Sequence, residues 1–111
     1  MTADFEFQDS HGDSFVIRLV HETQIEEARA ILAGKEPQKG VQGKVITKKA
    51  SYNPQWDYHL EPASISFFEV AKEVCDASIR YVQDHLAEVG KEFLPYCHWC
   101  PWSSRLTREI R

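Results

Sequence analysis

Apolar and polar residues alternate at the start of the chain. Phe5 and Phe7 stand between Asp4, Glu6 and Gln8, and Phe15, Ile17 and Leu19 alternate with Val16, Arg18 and Val20. A period of two marks a half-buried strand. The intervening Asp9-Ser10-His11-Gly12-Asp13-Ser14 has turn chemistry, so the pair reads as a hairpin whose loop is too long for turn type to set the register. The period then changes. Ile25, Ala28, Ile31 and Leu32 recur at helical spacing behind Thr23-Gln24-Ile25-Glu26, which has the spacing of a capping box. Gly34, with Pro37 beyond it, marks the stop.

Gly40 to Lys49 reads as a third strand, with Val41 and Val45 on one face and Gly43 between them. Ala50 to Gln55 is a loop punctuated by Asn53-Pro54. Trp56, Tyr58 and Leu60 alternate with Asp57 and His59 as a fourth strand that Pro62 ends. Ser66-Phe67-Phe68-Glu69 is a second capping box. Behind it Phe68, Ala71, Cys75, Val82, Leu86 and Val89 trace one face of a helix that Gly90 stops. That helix would hold about 24 residues and run roughly 36 Å. Phe67, Val74 and Tyr81 make a second stripe on it. The segment Phe93 to Trp102 carries Pro95 and Pro101 and cannot be a helix interior, so it is expected to wrap back over the helix. Ser103 to Arg111, with Leu106 and Ile110, reads as a last strand or a frayed tail.

The order β-β-α-β-β-α predicts a single α+β domain over residues 1–111, a mainly antiparallel sheet of four or five strands crossed by one long helix. The expected core is Phe5, Phe7, Phe15, Ile17, Leu19, Ile25, Leu32, Val45, Trp56, Tyr58, Phe68, Cys75, Val82 and Leu86.

Composition narrows the partners. With 42% hydrophobic and 27% charged residues the chain has the makings of a packed core rather than of a disordered segment. A formal charge of −4 supplies no overall basic field for nucleic acid or anionic lipid. No apolar run approaches the roughly 18 residues of a membrane span. No nucleic-acid or membrane partner is therefore expected. The first residues enter a strand pattern without a basic and apolar leader, so either the protein stays inside the cell or a signal has been removed.

The unusual chemistry lies in the three cysteines and the tryptophans. Cys97-His98-Trp99-Cys100 is a Cys-x-x-Cys, but Pro101 follows it and no βαβ pattern surrounds it, which is not the setting that activates such a thiol. A zinc site would need four ligands, drawn from Cys75, Cys97, Cys100 and one of His59, His85 or His98. A disulfide is the simpler use. Cys75–Cys100 would pin the aromatic segment to the helix, Cys97–Cys100 would close a tight loop, and in a reducing compartment all three would be thiols. Asp9, Ser10 and Asp13 around Gly12 have the flavour of a calcium loop but lack its length and its bidentate Glu, so hairpin-turn chemistry is the better reading. No nucleophile–base pair, phosphate loop or nucleophile elbow can be assigned, so no catalytic residue, resident metal or cofactor is expected.

Trp56, Trp99 and Trp102 with Tyr52, Tyr58 and Tyr96 can form either the core or an exposed binding patch. As a patch, Tyr52, Asn53, Pro54, Tyr96 and Trp99 are the expected contact residues. The function read from these features is a small non-enzymatic binding or interaction domain, protein-binding or peptidase-inhibitor-like. The alternative is a thiol-redox or zinc protein using Cys97, His98 and Cys100.

Several runs carry a resemblance: Tyr52-Asn53-Pro54-Gln55-Trp56-Asp57-Tyr58-His59-Leu60, Glu73-Val74-Cys75-Asp76-Ala77, Phe93-Leu94-Pro95 and Trp99-Cys100-Pro101-Trp102-Ser103-Ser104-Arg105-Leu106. With them the chain resembles small calmodulin-binding-protein-like proteins, many of them bacterial, over nearly its whole length. The resemblance implies that Cys75 and Cys100 pair, that Cys97 is an extra thiol, and that the protein is secreted after signal removal. It supplies no catalytic or binding residues. The residues do not carry calmodulin binding as a literal activity. A calmodulin target is a basic amphipathic helix, whereas the expected long helix sets Glu69, Glu73, Asp76, Asp84 and Glu88 against only Lys72 and Arg80.

Overall fold

The computed structural model describes residues 1–70 and 73–111 of the chain. They form an α+β domain built mostly from antiparallel strands. Strands β1 (Ala3–Gln8) and β2 (Ser14–Leu19) form the expected hairpin, in register from Ala3↔Leu19 to Gln8↔Ser14. Alternate residues Phe5, Phe7, Phe15, Ile17 and Leu19 are buried, as the period of two requires. The carboxylate of Asp9 closes the turn, accepting from the backbone N–H of His11 (3.0 Å) and Asp13 (3.3 Å) and from that of Ile79 (2.9 Å). Asp9 thus both shapes the turn and tethers it to a distant segment.

Helix α1 (Glu22–Leu32) follows, burying Ile25, Ala28 and Ile31. It starts ahead of the expected capping box. His21 is the N-cap and makes no side-chain cap bond, while the Thr23 hydroxyl is turned to the Gln24 side chain. Gly34 takes the left-handed conformation, φ +78°, that ends the helix.

The second sheet is centred on β3 (Gly40–Ile46), which pairs with β4 (His59–Leu60), β5 (Ser66–Phe68) and β8 (His98–Trp99). The expected fourth strand is cut to its last two residues, because Trp56 and Tyr58 are buried from a looped backbone that the Asn53 side chain organises. A short parallel pair joins β6 (Val89–Gly90) to β7 (Phe93–Pro95). The tail is a strand, β9 (Arg105–Ile110), which pairs with β1 and gives the first sheet the order β2-β1-β9.

The long helix from Ser66 to Val89 is not formed. Ser66–Phe68 is strand β5, a 3-10 turn covers Glu73–Cys75, and helix α2 runs only from Ile79 to Asp84. Ala71 and Lys72, placed on that helix by the sequence, lie outside the described residues. The Ser66 hydroxyl accepts from Gln42 Nε2 across the sheet (3.0 Å) instead of capping a helix. The operative cap is Ser78, whose hydroxyl accepts the Tyr81 N–H at 3.1 Å. The α+β class therefore holds, while the β-β-α-β-β-α order and its long helix give way to nine strands with two α-helices among the described residues.

One core joins the layers. The expected members are buried except Leu32, Phe68 and Leu86, which are partly covered. Val41, Ile65, Ile79, Leu94, Trp99 and Leu106 join it. Among the described residues no helix is long and apolar enough to cross a membrane.

Candidate functional site

Trp99 lies at the centre of the core. Its side chain is 0% exposed, with ring centroids 6.0 Å from Phe7, 5.3 Å from Phe15 and 5.6 Å from Tyr58. The indole N–H donates to the Ala77 carbonyl at 3.0 Å, so the polar tip of the ring is satisfied. This removes Trp99 from the expected contact surface. Its aromatic neighbours come from β1, β2 and the loop before β4, and bury the ring from several sides.

Asn53 is also buried, at 1% exposure. Its Oδ1 accepts from the Val16 N–H (2.9 Å) and its Nδ2 donates to the Tyr58 carbonyl (3.1 Å), clasping the loop to β2. It holds the loop rather than presenting it. Tyr52 is half-buried between layers of charge and aromatic surface. The Arg18 guanidinium sits 4.4 Å from its ring centroid, and His59 meets it edge-on. Burial pushes the Tyr52 phenol above its ordinary pKa, with the positive Arg18 opposing. Of this trio only Pro54 is exposed, and its carbonyl accepts from Lys49 Nζ (2.8 Å).

Tyr96 is different. It is 92% exposed, in the loop between β7 and β8. The backbone of that loop is unusual: Leu94, Tyr96 and Cys97 have φ of +48°, +61° and +62°, and none is glycine. A left-handed residue with a Cβ costs about 1–2 kcal/mol, so the surrounding contacts must impose the shape. They are visible on both sides. Leu94 is buried, the Cys97 N–H donates to the Leu94 carbonyl (2.9 Å), and the Cys97 carbonyl accepts from the Val45 N–H (2.8 Å). Immediately beyond come buried Trp99 and Cys100. The Tyr52–Pro54 loop and the Tyr96 loop border the same stretch of β3. His59, which Tyr52 touches, pairs with Ile46, and Cys97 is bonded to the neighbouring Val45.

Cys75 and Cys100 form a disulfide, with Cα atoms 5.1 Å apart and both residues 1% exposed. The Cys100 N–H also donates to the Cys75 carbonyl at 2.7 Å. Cys97 is free and half-buried. It does not partner Cys100. Its sulfur is turned to Gly90, where an added Cβ would come within 2.9 Å of it. Gly90 itself has φ +88°. The Cys-x-x-Cys spacing is thus not a redox pair in this fold. His98, by contrast, brings a ring nitrogen to the disulfide: the ligand atoms of Cys75, His98 and Cys100 lie within 4.8 Å of one another.

The sequence did not point to a second surface, beside α2. The Tyr81 ring stacks on His85 with centroids 3.9 Å apart and planes at 17°, and Phe93 meets it edge-on at 5.3 Å. His85 Nδ1 donates to the Tyr81 carbonyl (2.8 Å), which fixes the stack, since a carbonyl can only accept. A cleft of about 520 Å³ opens next to it, lined by His11, Asp76, Ala77, Ser78, Tyr81 and Phe93. The i, i+4 spacing of Tyr81 and His85 is the signal that could have revealed the stack.

No curated protein and no protein of solved structure is detectably similar to the chain. Its sequence does match a family profile, that of the BP-74 N-terminal domain, over residues 1–111, and the chain belongs to that family.

Proposed function

We propose that this protein is a non-enzymatic binding domain that engages a protein partner through the loop from Leu94 to Cys97, with Tyr96 as its anchor. The observation that carries the reading is the combination at Tyr96 of 92% exposure with a left-handed backbone held by buried neighbours. An exposed loop free of constraint would relax such residues or use glycine. Here the chain keeps a strained aromatic at the tip and fixes the segment through Leu94, the Val45–Cys97 bond, Trp99 and the disulfide. Strain of this kind collects at functional segments. A pre-ordered loop loses little entropy on binding, and tyrosine is among the residues that dominate binding energy at interfaces. Rigid presentation of one loop is also how a peptidase inhibitor works, and that is the specific form of protein binding favoured by this geometry.

The test compares wild type with Tyr96→Ser. Both are immobilised and exposed to proteins from the native environment, and both are assayed against a panel of endopeptidases. At least one protein retained, or one peptidase inhibited, by wild type and lost in Tyr96→Ser supports the reading, given matching thermal unfolding of the two. Retention of every partner and of any inhibition by Tyr96→Ser would overturn it.

A further inference from the structure

The disulfide does not stand alone. His98 reaches the same point from β8, where it pairs opposite Lys44, and Cys75 and Cys100 reach it from the 3-10 turn and from the end of β8. Their three ligand atoms lie within 4.8 Å of one another, in a site whose two cysteines are 1% exposed. The backbone holds the two cysteines together independently of the sulfur–sulfur bond, because the Cys100 N–H donates to the Cys75 carbonyl at 2.7 Å. Breaking the disulfide therefore leaves both thiols, and the imidazole, in the same place.

We propose that in the reduced chain Cys75, His98 and Cys100 bind a zinc ion. The conversion balances as follows. A thiol reductant gives two electrons and two protons to the disulfide, leaving two cysteine thiols while the reductant becomes its own disulfide. Zinc then displaces the two thiol protons, and a neutral imidazole donates a ring lone pair. The fourth tetrahedral position is filled by water. Two thiolates and a neutral imidazole cancel the charge of Zn²⁺, so the buried site carries no net charge, which lowers the burial penalty. Zinc–sulfur bonds of about 2.3 Å place tetrahedral ligand atoms roughly 3.8 Å apart, so the two sulfurs need only separate by small side-chain rotations. Cys97 is not a ligand, since its sulfur is turned to Gly90. The ligand set thus differs from the one that the Cys-x-x-Cys spacing suggests.

The consequence is a crosslink that survives a change of redox compartment. The disulfide joins residues 75 and 100 in the oxidised protein, and the metal joins them in the reduced one, with the core and the Tyr96 loop kept in place in both.

The experiment uses the full chain, reduced with a phosphine, freed of metal, and titrated with Zn²⁺ and with Co²⁺ as a spectroscopic stand-in. One equivalent is expected to bind the reduced protein, with sulfur-to-cobalt charge-transfer absorption and tetrahedral visible bands, and none to bind the oxidised protein. His98→Ala should weaken zinc by roughly tenfold or more. Cys75→Ser should remove the charge-transfer band, and Cys97→Ser should bind like wild type. Far-UV circular dichroism accompanies each titration. If the reduced chain is unfolded without metal, recovery of its native spectrum with one equivalent of zinc supports the site, and failure to recover overturns it. Absence of stoichiometric binding to the reduced protein, indifference to His98→Ala, or loss in Cys97→Ser would also overturn it.

Discussion

The Cys100 N–H donates to the Cys75 carbonyl at 2.7 Å beside the disulfide that joins the same two residues. The bridge spans a sequence separation of 25 residues, which makes it a substantial restraint on the unfolded chain. In metal-free protein the double variant Cys75→Ala/Cys100→Ala is expected to lose about 3–4 kcal/mol in the chain-entropy account. Urea unfolding measures this. A loss below about 1 kcal/mol would show that the hydrogen-bonded backbone holds the segment without the sulfurs.

Asn53 separates a structural from a contact role. Asn53→Ala leaves the Val16 N–H and the Tyr58 carbonyl without the side chain that pairs them. The expected destabilisation is about 2–3 kcal/mol, as for buried groups stripped of their partner. Asn53→Asp keeps the acceptor and should fall between. Equal stability of all three in denaturant titrations would contradict the buried clasp.

Backbone strain at Tyr96 is testable without any partner. Tyr96→Gly and Tyr96→Ala both remove the exposed ring, but only glycine is at ease at φ +61°. In urea unfolding the glycine variant should be the more stable by about 1 kcal/mol. If alanine is equal or better, the loop is not held in the left-handed region in solution.

Acid should act partly through Glu109. Arg29 donates two hydrogen bonds to its carboxylate, at 3.0 and 2.8 Å, and holds its pKa below the ordinary value; burial opposes this, and Arg111 adds its positive charge. A pKa lower in the folded than in the unfolded state contributes stability that is fully present above about pH 4.5 and is lost as the pH falls through the folded value. Glu109→Gln should therefore flatten the acid limb of melting temperature against pH, with little change in shape near neutrality. Superimposable acid limbs would remove Glu109 from the account. The pair ties α1 to β9 at the surface, so the effect is expected to be modest and to weaken in high salt.

Much of the fold was legible where one face of one element is buried. The alternation around Phe5, Phe7, Phe15, Ile17 and Leu19 reports a sheet face directly, and Ile25, Ala28 and Ile31 report a helix face. Between Ser66 and Val89 the same reasoning failed. A strand, a 3-10 turn and a short helix follow one another there, and the buried Cys75, Ile79 and Val82 have a spacing that imitates one helix. The hydroxyl of Ser66 meets Gln42, a cross-strand partner that local sequence does not reveal. Trp99 was unreadable for a similar reason. A two-residue strand has no period, and its burial depends on Phe7 and Phe15 at the opposite end of the chain. Tyr96 was legible as a loop aromatic, but its left-handed backbone was not, because no glycine announces it.

Pairing β9 with β1 has a consequence for how the domain comes into being. β1 is the middle strand of its sheet, flanked by β2 from the same hairpin and by residues 105–110. During synthesis the hairpin can form early, but the other side of β1 stays open until Arg105 to Ile110 has emerged and Phe7 can meet Leu106. Closure across nearly the whole chain is entropically slow. A translation product interrupted before Arg105 would carry an unpaired strand edge of the kind on which other chains aggregate.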